Sequence, residues 1–300
     1  MKARCCLSSV AALAFALLLS GCSLFPTTRK LPVPKMPSIE QTVPPESLVV
    51  RLNQRWSALK SLNATVEIQP SVMKSKEGVA KVYPTFRGII LMLKPEMLRV
   101  YGRVPVIGTR AFDMVSDGKD FTLWIPQFNV AYKGSNTVKK KAANPLENLR
   151  PGIFLDALVV RGLDSDDEYM VTADTVTVED AARKHLLMVP EYKLTIMRRQ
   201  ANSLQLTPER VVVFHRDDLL PYEQEVYDAE GNLETQVFYS NYMDHGTTKY
   251  PSKVEIKRPM DELGVILTVV KVTENPKSPP LTSDEFELKI TEGTKIQHLE

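Results

Sequence analysis

Phe112-Asp-Met-Val-Ser-Asp-Gly-Lys-Asp-Phe-Thr-Leu-Trp-Ile-Pro126 is the stretch from which the fold can be read outward. Phe112 and Met114 fall on one side of an extended chain, and Ser116-Asp117-Gly118 supplies the Asx and glycine chemistry of a tight turn. Phe121, Leu123 and Ile125 then resume the period of two on the return strand. An antiparallel hairpin is predicted. The same period marks Leu98 and Val100, with Arg99, Tyr101 and Arg103 opposite, and Ala64, Val66 and Ile68 before them. It returns at Tyr192 to Met197, Glu209 to His215, Tyr222 to Tyr227, Leu233 to Tyr239, Lys253 to Arg258, Val265 to Val272 and Phe286 to Ile290. Ten to twelve strands are expected, joined in sequence by short turns such as Asp228-Ala229-Glu230-Gly231-Asn232 and Asn202-Ser203.

Two segments depart from this period. Leu48, Leu52, Trp56, Leu59 and Leu62 recur every three or four residues while Arg51, Gln54 and Arg55 point elsewhere, which predicts one amphipathic helix from Ser47. Between Thr137 and Gly162, Leu146-Glu147-Asn148-Leu149 and Ile153 to Val160 suggest a helix or two inserted between strands. The fold class is mainly β (α+β): a single strongly curved antiparallel sheet with an N-terminal helix and a mid-chain helical lid. Ile89-Ile90-Leu91-Met92-Leu93 is apolar on both faces and Val211 to Phe214 nearly so, with few helices to cover them. Such a sheet closes into a barrel or holds a greasy ligand in a lipid-sized cavity. The 11 methionines suit either an adaptable apolar ligand or the filling of core gaps.

The first residues address the chain to the cell envelope. Lys2 and Arg4 precede an apolar run from Val10 to Leu19, too short to remain as a membrane-spanning helix, followed by Ser20 and Gly21. Leu19-Ser20-Gly21-Cys22 looks like a bacterial lipobox, in which the cysteine thiol is diacylated and becomes the new N-terminus. Residues 1–21 are therefore read as a lipoprotein signal peptide. Its removal takes Cys5 and Cys6, leaving Cys22 as the one remaining thiol of the chain's 3 cysteines. Acyl chains on Cys22 would hold the protein at the membrane, each buried CH2 contributing ~0.8 kcal/mol. Ser23, rather than an inner-membrane retention Asp, follows it, favouring the outer membrane, periplasm-facing. Residues 22–46 include 6 prolines after the cysteine and read as a semi-rigid tether of roughly 70 Å, so the body is placed at 47–300.

Charge and motifs narrow the chemistry. Lys and Arg number 38 against 36 Asp and Glu, too even a balance for gripping nucleic acid, which is not an expected partner. Gly-x-Gly-x-x-Gly, P-loop, His-Glu-x-x-His, Cys-x-x-Cys and Gly-x-Ser-x-Gly patterns are missing. The 4 histidines stand far apart in sequence, so neither a metal site nor a catalytic residue is nominated. His215 with Asp217 and Asp218, and Asp244 with His245, read as polar turns ahead of any acid/base pair.

Several stretches resemble the LolA/LolB-type lipoprotein carriers and receptors of the bacterial periplasm. Trp56 to Gln69 is similar to that family's first helix running into its first strand, and Phe86 to Arg99 to strands joined at a Lys-Pro turn. Val115-Ser-Asp-Gly-Lys119 before Phe121 to Pro126 looks like its hairpin. Pro105-Val-Ile-Gly-Thr109 and Asn144-Pro-Leu-Glu-Asn-Leu-Arg150 resemble the LolB branch, the first with one extra apolar residue. The resemblance implies a half-open barrel of about eleven strands under a helical lid. It implies no cofactor beyond the diacylglycerol and acyl chains on Cys22, a lipoprotein or lipid as cargo delivered to the outer membrane, and a periplasmic carrier protein as a further candidate partner; with the catalytic motifs missing, no enzyme is expected. Val66, Ile68, Ile90, Met92, Leu98, Val100, Phe112, Met114, Phe121, Leu123 and Ile125 would line the ligand cavity, and a one-residue slip would turn all of them outward. Val106 or Ile107 would be the apolar residue of a membrane-insertion loop. The alternative is an envelope interaction module, its cavity filled, that docks a protein partner.

Overall fold

The computed structural model describes residues 41–74, 79–104, 107–136, 150–180, 185–200, 203–246 and 248–299. The chain divides into two compact units, Pro37–Val176 with Val189–Glu300, and Met1–Met36 with Thr177–Met188. Of the smaller unit, the described residues are the outer ends of two strands, 177–180 and 185–188. The stretch read as a signal peptide, Cys22 and most of the stretch read as a tether lie outside the described residues.

Among the described residues, the larger unit is a curved, unclosed sheet with two α-helices. In chain order the elements are α1 (Pro45–Ala58), β1 (Ser61–Lys74), β2 (Val79–Val82), β3 (Phe86–Leu93), β4 (Met97–Arg103), β5 (Arg110–Ser116), β6 (Asp120–Ile125) and β7 (Val130–Ser135). There follow α2 (Gly152–Leu158), β8 (Glu168–Asp180), β9 (His185–Arg199), β10 (Leu206–His215), β11 (Pro221–Tyr227), β12 (Leu233–His245), β13 (Thr248–Arg258), β14 (Leu263–Glu274) and β15 (Lys295–Leu299). The sheet runs β15-β7-β6-β5-β4-β3-β1-β14-β13-β12-β11-β10-β9-β8, with β2 beside the far end of β1. Among the described residues, fifteen strands make a half-open barrel, more than the roughly eleven expected.

The additional strands are ones that alternation understates. β8 is largely exposed along the part within the larger unit, and β7 ends in Lys-Gly-Ser, so neither carries a regular apolar stripe. β15 pairs with β7 in parallel, outside the rule of sequential antiparallel pairing. The strand expected at Phe286 to Ile290 is not formed. Thr282 and Glu285 instead make a reciprocal capping box that starts a single helical turn over Ser283–Phe286.

Helix α1 begins at Pro45, whose ring suits the first helical position, with Glu46 in the first turn and Arg55 in the last. It ends at Ala58, so Leu62, expected on the helix, belongs to β1. Asn275 enforces the break: its Oδ1 accepts the N–H groups of Lys60 (2.7 Å) and Ser61 (3.0 Å), and its Nδ2 donates to Ala58 O. Ahead of α1, Gln41 N donates to Arg216 O (2.7 Å) and Val43 N to the Tyr192 hydroxyl. The last residues of the supposed tether are thus held on β9 and β10. Arg216, stacked 4.8 Å from the Tyr192 ring centroid, donates to Gln41 O and to the Thr42 hydroxyl.

The core lies on one face of the sheet. Register puts Ala64 opposite Ile90, Ile90 opposite Val100, Val100 opposite Met114 and Met114 opposite Leu123, which aligns their side chains. Ile153, Phe154, Ala157 and Leu158 of α2 pack into this cluster, and Phe154 is among its largest fully buried side chains. A second cluster joins Leu48 and Leu52 of α1 to Tyr192, Leu194, Ile196, Val212 and Phe214. Among the described residues, no helix is long and apolar enough to cross a membrane.

Candidate functional site: a cavity beside helix α1

A cavity of about 240 Å³ lies beside α1, and three parts of the larger unit line it. Leu48, Leu52 and Trp56 face it from the helix, and Leu59 from the residue after it. Leu158, Val159 and Val160 come from the end of α2 and the segment after it, and Phe214, Leu219, Tyr239, Tyr242 and Tyr250 from the sheet and the β10–β11 connection. Its walls are mostly apolar.

Inner-face polar groups hold the α2 segment in position. Gln224 Nε2 donates to Asp156 O (2.7 Å), and the Tyr250 hydroxyl donates to Leu158 O. The buried Arg210 guanidinium donates to Arg161 O (2.8 Å) and Gly162 O (2.9 Å). Four carbonyls at and beyond the end of a short helix are thereby satisfied by side chains of β10, β11 and β13. Burial depresses the Arg210 pKa from its usual value, but an arginine remains charged. On the other side, Gly162 approaches α1 so closely that a Cβ there would sit 2.6 Å from Asn53 Oδ1 and 3.0 Å from Trp56 Cδ1. Asn53 Oδ1 also accepts Leu163 N, fastening the segment to the helix (2.7 Å).

Three tyrosines bring polarity to the cavity. Tyr242 donates to Pro221 O and Tyr250 to Leu158 O, while the Tyr239 hydroxyl, on a side chain only 4% exposed, has no hydrogen-bond partner in the protein. Burial raises the pKa of all three, and Arg55 opposes that rise, so at neutral pH each is a protonated donor. Arg55 reaches Lys249 O (3.2 Å) and stands 4.0 Å from the Glu274 carboxylate. The cavity thus pairs a mostly apolar wall with a buried, unpartnered donor, the Tyr239 hydroxyl, beside it.

The expected cavity residues lie elsewhere. Val66, Ile68, Ile90, Met92, Leu98, Val100, Met114 and Phe121 are buried in the large core cluster together with α2, and Phe112 and Leu123 pack against it half-buried. Ile125, also half-buried, is at the end of β6. None of the eleven lines the cavity beside α1; Phe121 borders a second cavity of about 230 Å³ with Met97, Val115 and Phe286. The reason is α2, whose apolar face fills the space that alternation alone leaves open. Ile107 is 73% exposed at the β4–β5 turn, where Gly108 takes a φ of +71° and donates to Val104 O. Val106 lies outside the described residues.

The polar constellations are structural. The His215 ring stacks on Tyr222 at 3.6 Å, and Asp218 accepts the Tyr222 hydroxyl (3.0 Å) and Leu220 N (2.9 Å). His245 meets Tyr250 edge-on. Among the described residues, no group of three or more His, Cys, Asp and Glu side chains could hold a metal ion.

No model of a known protein family matches the chain, and no curated protein does. Among solved structures it is similar to a LolA superfamily protein from Nitrosomonas europaea, with 13% identity and a TM-score of 0.51 over 82% of this chain and 99% of that one. It is also similar to a DUF1329 family protein from Desulfovibrio piger, with 14% identity and a TM-score of 0.52 over 80% and 95%. At these identities the likeness is one of fold. The chain has the LolA/LolB-like fold.

Proposed function

We propose that this protein is an envelope lipoprotein, tethered through acyl chains on Cys22, that takes up an acyl chain of a lipoprotein or lipid and delivers it to the outer membrane. The observation that carries this reading is the cavity beside α1: apolar, narrow, and furnished with one buried donor, Tyr239, that the protein leaves unpaired. Transfer without covalent chemistry would be driven by burial of apolar area, ~25 cal/mol per Å². Ile107, exposed at its turn, serves as the apolar residue that meets the receiving membrane. Native mass spectrometry of the chain purified from its own host's membranes, followed by organic extraction, tests the reading. A lipid or lipopeptide at about one per chain is expected, and a ligand-free mass overturns it.

A second reading is supported by α2. Because Ile153, Phe154 and Leu158 already fill much of the sheet's inner face, the same fold could serve as a docking module for an envelope protein. A stoichiometric partner recovered without bound lipid would favour that reading over transport.

A further inference from the structure

Strand direction and register assign every described turn to one of two ends of the sheet. The β4–β5, β6–β7, β9–β10, β11–β12 and β13–β14 turns share one end, and all of them except the polar β11–β12 turn, Asp228–Asn232, present a large apolar side chain to solvent. These are Ile107 (73% exposed), Phe128 (71%), Leu204 (91%) and Met260 (63%). At the opposite end, Lys94–Glu96, Asp117–Lys119 and Arg216–Leu220 carry no large exposed apolar side chain among the described residues. The remaining exposed apolar side chains lie within strands or on α1. Singly, an exposed apolar residue needs no explanation; four at the tips of one end do.

A basic row stands at the root of the Ile107 turn. Arg87 is directly opposite Arg103, and Arg103 is directly opposite Arg110, across three adjacent strands. Opposite residues are ~5 Å apart, and like charges so placed repel. Arg110 shares the buried Asp113 with Arg99, and Glu67 faces Arg87 in register. Arg87 and Arg103 are exposed and make no ion pair among the described residues. A sheet bears such a row at a cost to its own stability, and an external anion relieves it. Phosphodiester groups match guanidinium geometry.

We propose that this end of the sheet is a rim that docks on an anionic phospholipid surface. Phe128, Leu204 and Met260 enter the interface together with Ile107, while Arg87, Arg103 and Arg110 bind headgroup phosphates. The spacing favours a bilayer over a protein partner. Along the sheet order, successive tips from Phe128 through Ile107 and Met260 to Leu204 are two, four and four strand spacings apart, or ~10, ~19 and ~19 Å. Protein interfaces bury a continuous apolar centre; a bilayer accepts separate side chains. This inference does not depend on the cavity and extends the membrane contact well beyond the Ile107 turn.

The test uses the chain as purified from its host membranes, reconstituted into vesicles of phosphatidylethanolamine and phosphatidylglycerol. Phe128→Cys, Leu204→Cys, Met260→Cys and, at the other end, Asp117→Cys are each labelled with an environment-sensitive fluorophore. A blue shift with quenching by spin-labelled lipid is expected at the first three positions and not at Asp117. Quenching at the tips no greater than at Asp117 overturns the proposal. So does a blue shift without lipid quenching, the signature of burial against a second copy of this chain. Arg87→Gln with Arg103→Gln should abolish the difference between these vesicles and pure phosphatidylcholine; an undiminished difference removes the arginine row from the rim.

Discussion

Tyr239 and Tyr250 line the same cavity, and only one of the two hydroxyls has a partner. Tyr239→Phe removes a buried hydroxyl that the protein leaves unpaired, so unfolding in urea should show stability unchanged or raised by about 1 kcal/mol. Tyr250→Phe strips the donor from Leu158 O and should cost about 1 kcal/mol. If the cavity binds an acyl carbonyl through Tyr239, the more stable Phe variant should be the poorer binder, a trade between stability and function. His215 offers a pH test. Burial lowers its folded pKa below the ordinary 6.5, with Asp217 and Asp218 opposing, so the unfolded chain takes up the proton first. Its contribution is fully present above pH 6.5 and is lost as pH falls toward the folded value. The drop in urea midpoint between neutral and mildly acidic pH should be smaller in His215→Gln than in the parent.

At the scale of elements, the cavity depends on how α1 and the α2 segment are held. Gly162→Ala drives a methyl group into Asn53 and Trp56, and relief requires α1 to move away from the segment. Thermal unfolding should report a loss of about 1–3 kcal/mol, the usual range for overpacking. Helix α1 was legible from its apolar spacing, and the Ser116-Asp117-Gly118 turn from its chemistry, because both signals are local. The inner face holding Ile90, Val100 and Met114 followed from a period of two. What lies against that face did not. Phe154 and Leu158 are contiguous with the residues they cover only through α2 docking, and nothing in a strand's alternation distinguishes a lined cavity from a packed core. Tyr239 and Tyr250 were missed as cavity residues for the same reason: α1 meets them across about 190 residues of chain, a separation read from the Arg55–Lys249 contact.

On the scale of the whole molecule, an unclosed sheet has two edges to protect. β15 covers one of them, lying parallel to β7 from Lys295 to Leu299, with Leu299 O against Gly134. Ending the chain after Glu292 should leave the central core folded by circular dichroism and expose the β7 edge. Light scattering should then reveal self-association absent from the full chain. The alternation, the turn residues and the spacing of α1 determined a mainly β chain with a curved antiparallel sheet, because side-chain period and turn chemistry are properties of neighbouring residues. The strand total, the parallel closing strand, the place of the cavity and the gathering of four apolar tips at one end were decided only in the tertiary structure. Each depends on register and docking between segments distant in the chain, and the free energy of those contacts comes from surfaces that exist only once the sheet has formed.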